Sequence, residues 1–392
     1  MPTAKPSDFY CSEKFTWLSV DLEKRQSFSC CAARPHQIDI KWIKQNPGKL
    51  FQTPILRSER MQMLQNEPVK SCEDVCWKPE RENLVSRRQS LKSYQRTLDD
   101  INVVNPQKLH VVLGSTCNMT CSYCCKFYSS AWLRDIANNG TYLDQERFQI
   151  TDKEKLLAKV SHLEQQDSEG FQTLMSEVQK FGDVKEIFVT GGEPFLYNNL
   201  PDILNQFHDS TDRLICFTGL GVDPKRFSSQ LKKIQNRDKL TFAISAENCE
   251  TLYEFNRFGN TWKNFLLNLD QLQQHNFDFY FSMVLSNLTV FGLMDFVKYF
   301  SDRKLDYQFC TVPNFLNVNV LDDISKKQLI SDFTESDLLF KDDLVWALSQ
   351  EYTLEQVENF AVYIKEFSRR RNLSLDIYPE HFCKWINKHW RN

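Results

Sequence analysis

The stretch Leu109-His-Val-Val-Leu-Gly-Ser-Thr-Cys117-Asn-Met-Thr-Cys121-Ser-Tyr-Cys124-Cys125 decides how the chain is read. Its first half is apolar and β-branched, as a buried strand requires, and it runs directly into a loop carrying C-x3-C-x2-C. Three thiolates on one short loop suit three corners of an iron–sulfur cube, for which thiolate is the preferred ligand. The fourth iron is then left without a protein ligand and is open to substrate or cofactor. Zinc is the competing reading. It normally asks for a closed set of four ligands, commonly two C-x2-C pairs, and Cys125 points away from its neighbour Cys124.

Outward from this loop the pattern is one of strands alternating with helices. Strands are expected at 109–115, 186–190, 214–218, 240–245, 278–285 and 306–312. Helices are expected at 152–181, 198–208, 224–235, 251–275 and 292–302. Alternation of this kind predicts βα units and a parallel sheet, and six units suit a partial (β/α)6 TIM-like barrel. In such barrels the chemistry gathers at the C-terminal ends of the strands. After Pro313 the chain turns polar and then helical, with 353–370 the clearest segment. Before residue 106 it reads as irregular and rich in Cys and Trp, and it closes in a polar helix or linker at 86–100.

Two other strand ends carry polar groups suited to a ligand. Ile187-Phe-Val-Thr-Gly191-Gly192-Glu193-Pro194 places two glycines where backbone approaches a ligand closely, followed by a carboxylate suited to an ammonium group. Thr241-Phe-Ala-Ile-Ser245-Ala-Glu247 places a hydroxyl and a carboxylate two residues apart, on one side of a strand, where they suit a diol or face solvent. Arg257 follows within reach of the same rim, to bind a carboxylate or to tie down a helix.

Cys117, Cys121 and Cys124, with Tyr123 before the third cysteine, resemble the C-x3-C-x-aromatic-C hallmark of the radical S-adenosylmethionine (SAM) superfamily. The resemblance covers about residues 106–315. It implies an α/β radical SAM barrel whose [4Fe–4S] cluster binds SAM at the open iron. Reductive cleavage of SAM then gives a 5′-deoxyadenosyl radical that abstracts hydrogen from substrate. Gly191–Pro194 is similar to the family's GGEP turn, which borders the SAM amino group. Ser245 and Glu247 stand where the family often binds the SAM ribose, and Arg257 is a further SAM or substrate contact. A flavodoxin or ferredoxin is the reductant the resemblance implies.

Thirteen cysteines need an explanation, because nine precede residue 126 in tight groups while Cys216, Cys249, Cys310 and Cys383 are scattered. An odd total without a secretory leader argues against a disulfide framework. Cys11, Cys30 with Cys31 as its substitute, Cys72 and Cys76 supply four separated ligand positions. This group resembles the twitch and SPASM auxiliary-cluster domains of radical SAM enzymes, which imply a second [4Fe–4S] cluster. Those domains usually follow the barrel and carry C-x2-C, whereas this group precedes it and ends in C-x3-C. A structural zinc is the alternative. The expected organisation is thus a small Cys-rich N-terminal domain at 1–105, the barrel at 106–315 and a mostly helical C-terminal extension at 316–392.

A formal net charge of −3 provides no basic field for nucleic acid or an anionic membrane. Arg87-Arg88 and Arg369-Arg370-Arg371 read as solvated faces. No apolar run long enough to span a bilayer occurs, and residues 1–15 lack the apolar centre of a secretory signal, so the cytoplasm is expected. Thirty phenylalanines suit a large core. Twitch and SPASM enzymes act on peptides, protein side chains, or sugar and cyclitol alcohols. Oxidation or cross-linking of a peptide or protein side chain stands first, by analogy of domain pairing alone. A sugar or cyclitol dehydrogenase or an epimerase stands second, the epimerase with Cys310 or the spare Cys125 as the hydrogen donor. RNA-base modification and a zinc-stabilised scaffold complete the alternatives.

Overall fold

The structure, a computed structural model, describes residues 9–30, 33–82, 86–92, 101–149, 168–235 and 237–390. Cys31, residues 93–100 of the expected linker and residues 152–167 of the first expected helix lie outside them.

Nine strands form one open, mixed sheet. They are β1 Trp17–Asp21, β2 Gln26–Phe28, β3 His36–Gln37, β4 Lys108–Val112, β5 Val184–Thr190, β6 Thr211–Thr218, β7 Leu240–Ile244, β8 Asp278–Leu285 and β9 Leu305–Phe309. Their order is β3-β2-β1-β4-β5-β6-β7-β8-β9, so the edge strands β3 and β9 are not joined and the sheet does not close. The six strands expected between 109 and 312 are all present as β4 to β9, with ends shifted by up to a few residues. The chain forms two compact units. One comprises Met1–Gly114, Gln165–Phe217 and Gln230–Thr241, the other Ser115–Glu164, Thr218–Ser229 and Phe242–Asn392.

In the first unit β4 pairs in parallel with β5, and β5 with β6. Leu109, Val111, Ile187 and Val189 are almost wholly buried on one face, which is why these strands read as apolar alternation. The N-terminal stretch is not irregular, as the sequence suggested. Trp17–Asp21 pairs in parallel with β4, Trp17 opposite Lys108 and Asp21 opposite Val112, and β2 and β3 extend the sheet antiparallel. Buried polar residues disguised this strand. Asp21 accepts the backbone N–H of Lys24 (2.8 Å), and Ser19 accepts the indole N–H of Trp17 (2.7 Å) and bonds His110 Nδ1 (3.1 Å). Both satisfy their hydrogen bonds locally and so tolerate burial.

In the second unit β8 and β9 pair in parallel, Phe281 opposite Leu305 and Leu285 opposite Phe309. The single helix expected over 251–275 is two, Glu250–Asn256 and Trp262–Gln274. Gly259 sits between them at φ +109°, a conformation that L side chains avoid, and Thr261 caps the second helix through the N–H of Asn264 (3.2 Å). The C-terminal region is helical as expected: Asp323–Glu335, Lys341–Leu348, Leu354–Arg371 and Glu380–His389. The third begins in a Thr353/Gln356 capping box, ends at a left-handed Asn372, and buries Phe360, Tyr363, Ile364 and Phe367. Each large apolar side chain so buried contributes about 1.5–3 kcal/mol. No helix among the described residues is long and apolar enough to cross a membrane.

Candidate functional site

The cysteine loop of the second unit is fixed from several sides, and the fixing starts with its own backbone. The N–H groups of Thr120 and Ser122 donate to the carbonyls of Phe258 and Asn256 (both 2.8 Å), in the break between the two helices. Ser130 closes a tighter ring. The N–H of Cys117 donates to its hydroxyl (3.0 Å), and that hydroxyl lies 3.0 Å from the Cys117 carbonyl. Trp132 Nε1 donates to the Cys121 carbonyl (3.0 Å), and Ser129 Oγ to that of Met119 (2.7 Å). A loop held this closely presents its thiols in a set arrangement rather than sampling many.

The glycine in the break makes this contact possible. A Cβ on Gly259 would lie 2.5 Å from the Asn118 carbonyl oxygen and 2.9 Å from the Met119 Cα, both backbone atoms that cannot step aside. The helix Leu354–Arg371 supplies the remaining clamp. Tyr363 donates its hydroxyl to the Ser122 carbonyl, and Arg371 Nε donates to Thr120 Oγ1 (2.8 Å). Arg371 also donates to the Tyr142 hydroxyl (2.7 Å) and lies over the rings of Phe367 and Trp132, at 3.9 and 4.7 Å. Nothing in the local sequence of the loop announces Tyr363 or Arg371, which stand more than two hundred residues away.

Cys117 and Cys121 are buried and Cys124 half-buried. Burial pushes the Cys121 thiol up, while the guanidinium of Arg257, whose Nη1 lies 3.8 Å from its sulfur, pulls it back. Cys124 is raised well above the ordinary thiol range, first by burial and then by the neighbouring Cys125, Cys121 and Cys117. Cys117 and Cys121 are thus near enough to Cys124 to oppose its ionisation, in buried surroundings. Three thiolates there require an embedded cation charge, which the irons of a cluster provide. The donor set fits a [4Fe–4S] cluster on three cysteines.

Glu247 and Arg257 meet beside this loop. The guanidinium donates twice to the carboxylate (Nη2 to Oε1 2.7 Å, Nε to Oε2 3.2 Å), and both side chains are within a few per cent of complete burial. Tyr123, the aromatic of the cysteine motif, donates its hydroxyl to Glu247 Oε1 (2.7 Å), as does the N–H of Val284 on β8 (3.1 Å). The Arg257 guanidinium lies 5.3 Å from the Tyr123 ring centre. Sequence reading gave Glu247 to a ribose and Arg257 to a carboxylate or to helix tethering. In the structure the two hold each other and orient Tyr123 next to Cys121. Ser245 is half-buried at the end of β7, its N–H donated to the Thr218 carbonyl (2.8 Å).

In the first unit, Gly191 to Pro194 leave β5 in a turn whose second N–H, that of Gly192, donates to the Gly114 carbonyl (2.8 Å). The approach is tight: a Cβ on Gly191 would lie 3.2 Å from Leu113 Cβ and 3.3 Å from the Gly114 oxygen. Glu193 is fully buried and accepts the N–H of Phe195 (3.2 Å).

The first unit also gathers Cys11, Cys30, Cys72 and Cys76, all buried free thiols, around one small cavity of about 10 Å3. Burial pushes Cys11 up, with Cys72, Cys76 and Cys30 adding to the shift, and brings Cys76 to about 11. Lys14, Arg87 and Arg88 line the same cavity. Among the described residues no three His, Cys, Asp or Glu side chains converge to hold a single metal ion. The donor set of four thiols is nonetheless the chemistry of a fully protein-liganded iron–sulfur cluster. Cys310, beyond the end of β9, is buried and its thiol is raised to about 12, chiefly by burial. Cys310 and Cys124 both lie within electrostatic reach of Tyr363.

The radical SAM superfamily profile matches residues 111–300, just under half of the chain. A search of curated proteins returned no match. Among solved structures, native anSMEcpe with bound AdoMet is 14% identical, with 67% of this chain and 60% of that one covered at a TM-score of 0.33. Streptococcus suis SuiB bound to precursor peptide SuiA is 11% identical, with 93% and 71% covered at 0.33. TYW1 with a lysine-pyruvate adduct bound is 15% identical, with 49% and 61% covered at 0.27. The chain thus spans about 60% of the length of the anSMEcpe chain it matches. Residues 111–300, with the cysteine loop inside them, thus match the radical SAM superfamily, whose cofactors are a [4Fe–4S] cluster and SAM.

Proposed function

We propose that the chain is a radical SAM enzyme that oxidises or cross-links a side chain of a peptide or protein. Cys117, Cys121 and Cys124 are the residues that hold the SAM-binding cluster. When bound, that cluster supplies the electron for reductive cleavage of SAM to methionine and a 5′-deoxyadenosyl radical. The observation that carries the reading is the cysteine loop itself: three thiols on one short loop, held through its backbone and by Tyr363 and Arg371, a set that would leave one corner of a [4Fe–4S] cluster without a protein ligand. Gly191, Gly192, Glu193 and Pro194 are assigned to the SAM amino end, where a buried carboxylate favours an ammonium group. Ser245 is assigned to the ribose. Glu247 and Arg257 act by holding Tyr123 and by placing a positive charge 3.8 Å from Cys121, and any contact with SAM comes second to that pairing.

Cys11, Cys30, Cys72 and Cys76 are assigned to a second, fully liganded [4Fe–4S] cluster in a twitch/SPASM-like region at 1–105. The barrel is assigned to 106–315 and the helical extension to 316–392. Four protein ligands leave no open iron, so this group suits electron transfer from a product radical. A peptide substrate rests on the pairing of such a cluster with a radical SAM domain, an associational argument. A flavodoxin or ferredoxin reductant and a cytoplasmic location complete the proposal.

A second reading, a redox-neutral epimerase, is favoured by Cys310. Its thiol stays protonated, the form that returns a hydrogen atom, and it lies within electrostatic reach of the tyrosine that also feels Cys124.

Formation of 5′-deoxyadenosine from SAM, in anaerobic reduced protein reconstituted with iron and sulfide, is the test. Wild type is expected to form it and the Cys117→Ala/Cys121→Ala/Cys124→Ala variant is not. Equal formation by both overturns the assignment.

A further inference from the structure

The cavity of the N-terminal cysteines stands on a buried charged network that the proposed function does not use. Lys14 is 1% exposed, and its ammonium donates to Glu59 Oε2 (2.7 Å), Ser71 Oγ (2.8 Å) and Ser29 Oγ. Glu59, also buried, accepts Ser29 Oγ (3.0 Å) and the Ser71 hydroxyl, and its other face bonds His36 Nε2 (2.8 Å). The sequence positions of these partners are telling. Ser29 immediately precedes Cys30, Ser71 immediately precedes Cys72, and Lys14 lies one turn beyond Cys11. One ammonium therefore ties together three of the segments that carry the thiols.

A buried lysine without compensation discharges. Here Glu59 supplies the compensation, its carboxylate accepting the Lys14 ammonium at 2.7 Å. Arg88, the other buried cation lining the cavity, is already committed. It donates to both oxygens of Glu80 (2.8 and 2.7 Å) and to the Tyr10 carbonyl (2.8 Å), and it lies over the Trp77 ring. Glu59 balances Lys14 but is not itself among the residues that line the cavity, whereas Lys14 is.

We propose that Lys14 is a positioning residue that sets the reduction potential of the N-terminal cluster, an inference that rests on the assignment of that cluster to Cys11, Cys30, Cys72 and Cys76. Four thiolates give such a cluster a net negative charge, and each electron it accepts deepens it. A buried ammonium bonded to Ser29 and Ser71, the residues that precede Cys30 and Cys72, stabilises the reduced form and raises the potential, since net charge and nearby hydrogen-bond donors are what tune iron–sulfur couples. The Lys14–Glu59 pair thus acts as an oriented dipole, positive end toward the cluster.

The test uses the full chain with Cys117, Cys121 and Cys124 replaced by Ala, so that only the N-terminal site loads. Iron is counted, and the one-electron couple is titrated with dithionite under EPR. Lys14→Met is expected to retain iron and to disfavour reduction at least tenfold, a shift of 59 mV to more negative potential for a one-electron couple. Lys14→Arg is expected to stay near the parent. Glu59→Gln removes the opposing charge and is expected to shift the potential the other way, which loosened packing alone would not do. Iron loading with an unchanged potential in both Lys14→Met and Glu59→Gln overturns the role of Lys14 and leaves the cluster assignment standing. Absence of iron from the Lys14-containing parent overturns both. Should Lys14→Met fail to fold, Glu59→Gln and Lys14→Arg decide by the same signs.

Discussion

Replacing Arg257 by Met tests whether the Glu247–Arg257 pair is an internal strut. The guanidinium makes two hydrogen bonds to the carboxylate, and both groups are almost completely buried. Removing one partner of a buried pair leaves an uncompensated charge and costs about 3–5 kcal/mol. Glu247 would keep the Tyr123 hydroxyl and the Val284 N–H, two donors that soften the loss toward the lower end. Glu247→Gln alone leaves the buried Arg257 cation unanswered and is expected to cost a similar amount. In the double variant Arg257→Met/Glu247→Gln no charge is stranded, and the neutral amide still accepts from Tyr123 and Val284. The double variant is therefore expected to recover at least about 2 kcal/mol relative to the sum of the singles, near the upper range for coupled neighbours. Urea unfolding of anaerobic protein at matched iron content, followed by tryptophan fluorescence, measures this cycle. Costs that add to within about 0.5 kcal/mol would refute the strut, and would return Glu247 and Arg257 to the role of independent ligand contacts.

Three further outcomes are expected. His110 bonds Ser19 and Thr190 as a neutral ring, and burial lowers it from 6.5 to about 4. A depressed folded value means that its stability contribution is complete above pH 6.5 and is lost as pH falls toward 4, about 2 kcal/mol by pH 5. His110→Gln should flatten the pH dependence of urea unfolding by that amount between pH 8 and 5, and an unchanged slope would contradict it. Gly259→Ala should deplete cluster iron severely, because its Cβ meets backbone of the cysteine loop, whereas Gly182→Ala, which meets nothing within 4 Å, should load normally. Iron-to-protein ratio and visible absorbance read both. Tyr363→Phe removes one hydrogen bond to the cysteine loop and should cost about 1 kcal/mol, and a denaturation midpoint identical to wild type would show that the clamp contributes nothing.

The parts of the fold that were legible in the sequence are those governed by neighbours in the chain. β4 to β9 show as short apolar runs between turns, and the three thiols show by spacing alone. The N-terminal strands did not show, because Ser19 and Asp21 are polar residues made tolerable inside by partners, His110 among them, that a linear reading cannot supply. The helix break at Gly259 is marked by a lone glycine, a weak sign until the cysteine loop is seen lying against it. Glu247 and Arg257 were recognised as important types at a strand rim. Their attachment to each other depends on side-chain direction, which the spacing of 10 residues does not encode. Tyr363 and Arg371 were invisible for a simpler reason: helix periodicity marks Tyr363 as a buried position without saying what it touches.

The distance along the chain between the cysteine loop and its clamp bears on how a cluster is acquired during synthesis. Tyr363 reaches Ser122 across 241 residues, and Arg371 reaches Thr120 across 251. At about 5–20 residues per second of translation, the loop would be outside the ribosome for roughly 12–50 s before the tyrosine that fastens it is made. The thiols are thus presented open first and locked afterwards, once the helix Leu354–Arg371 has been made.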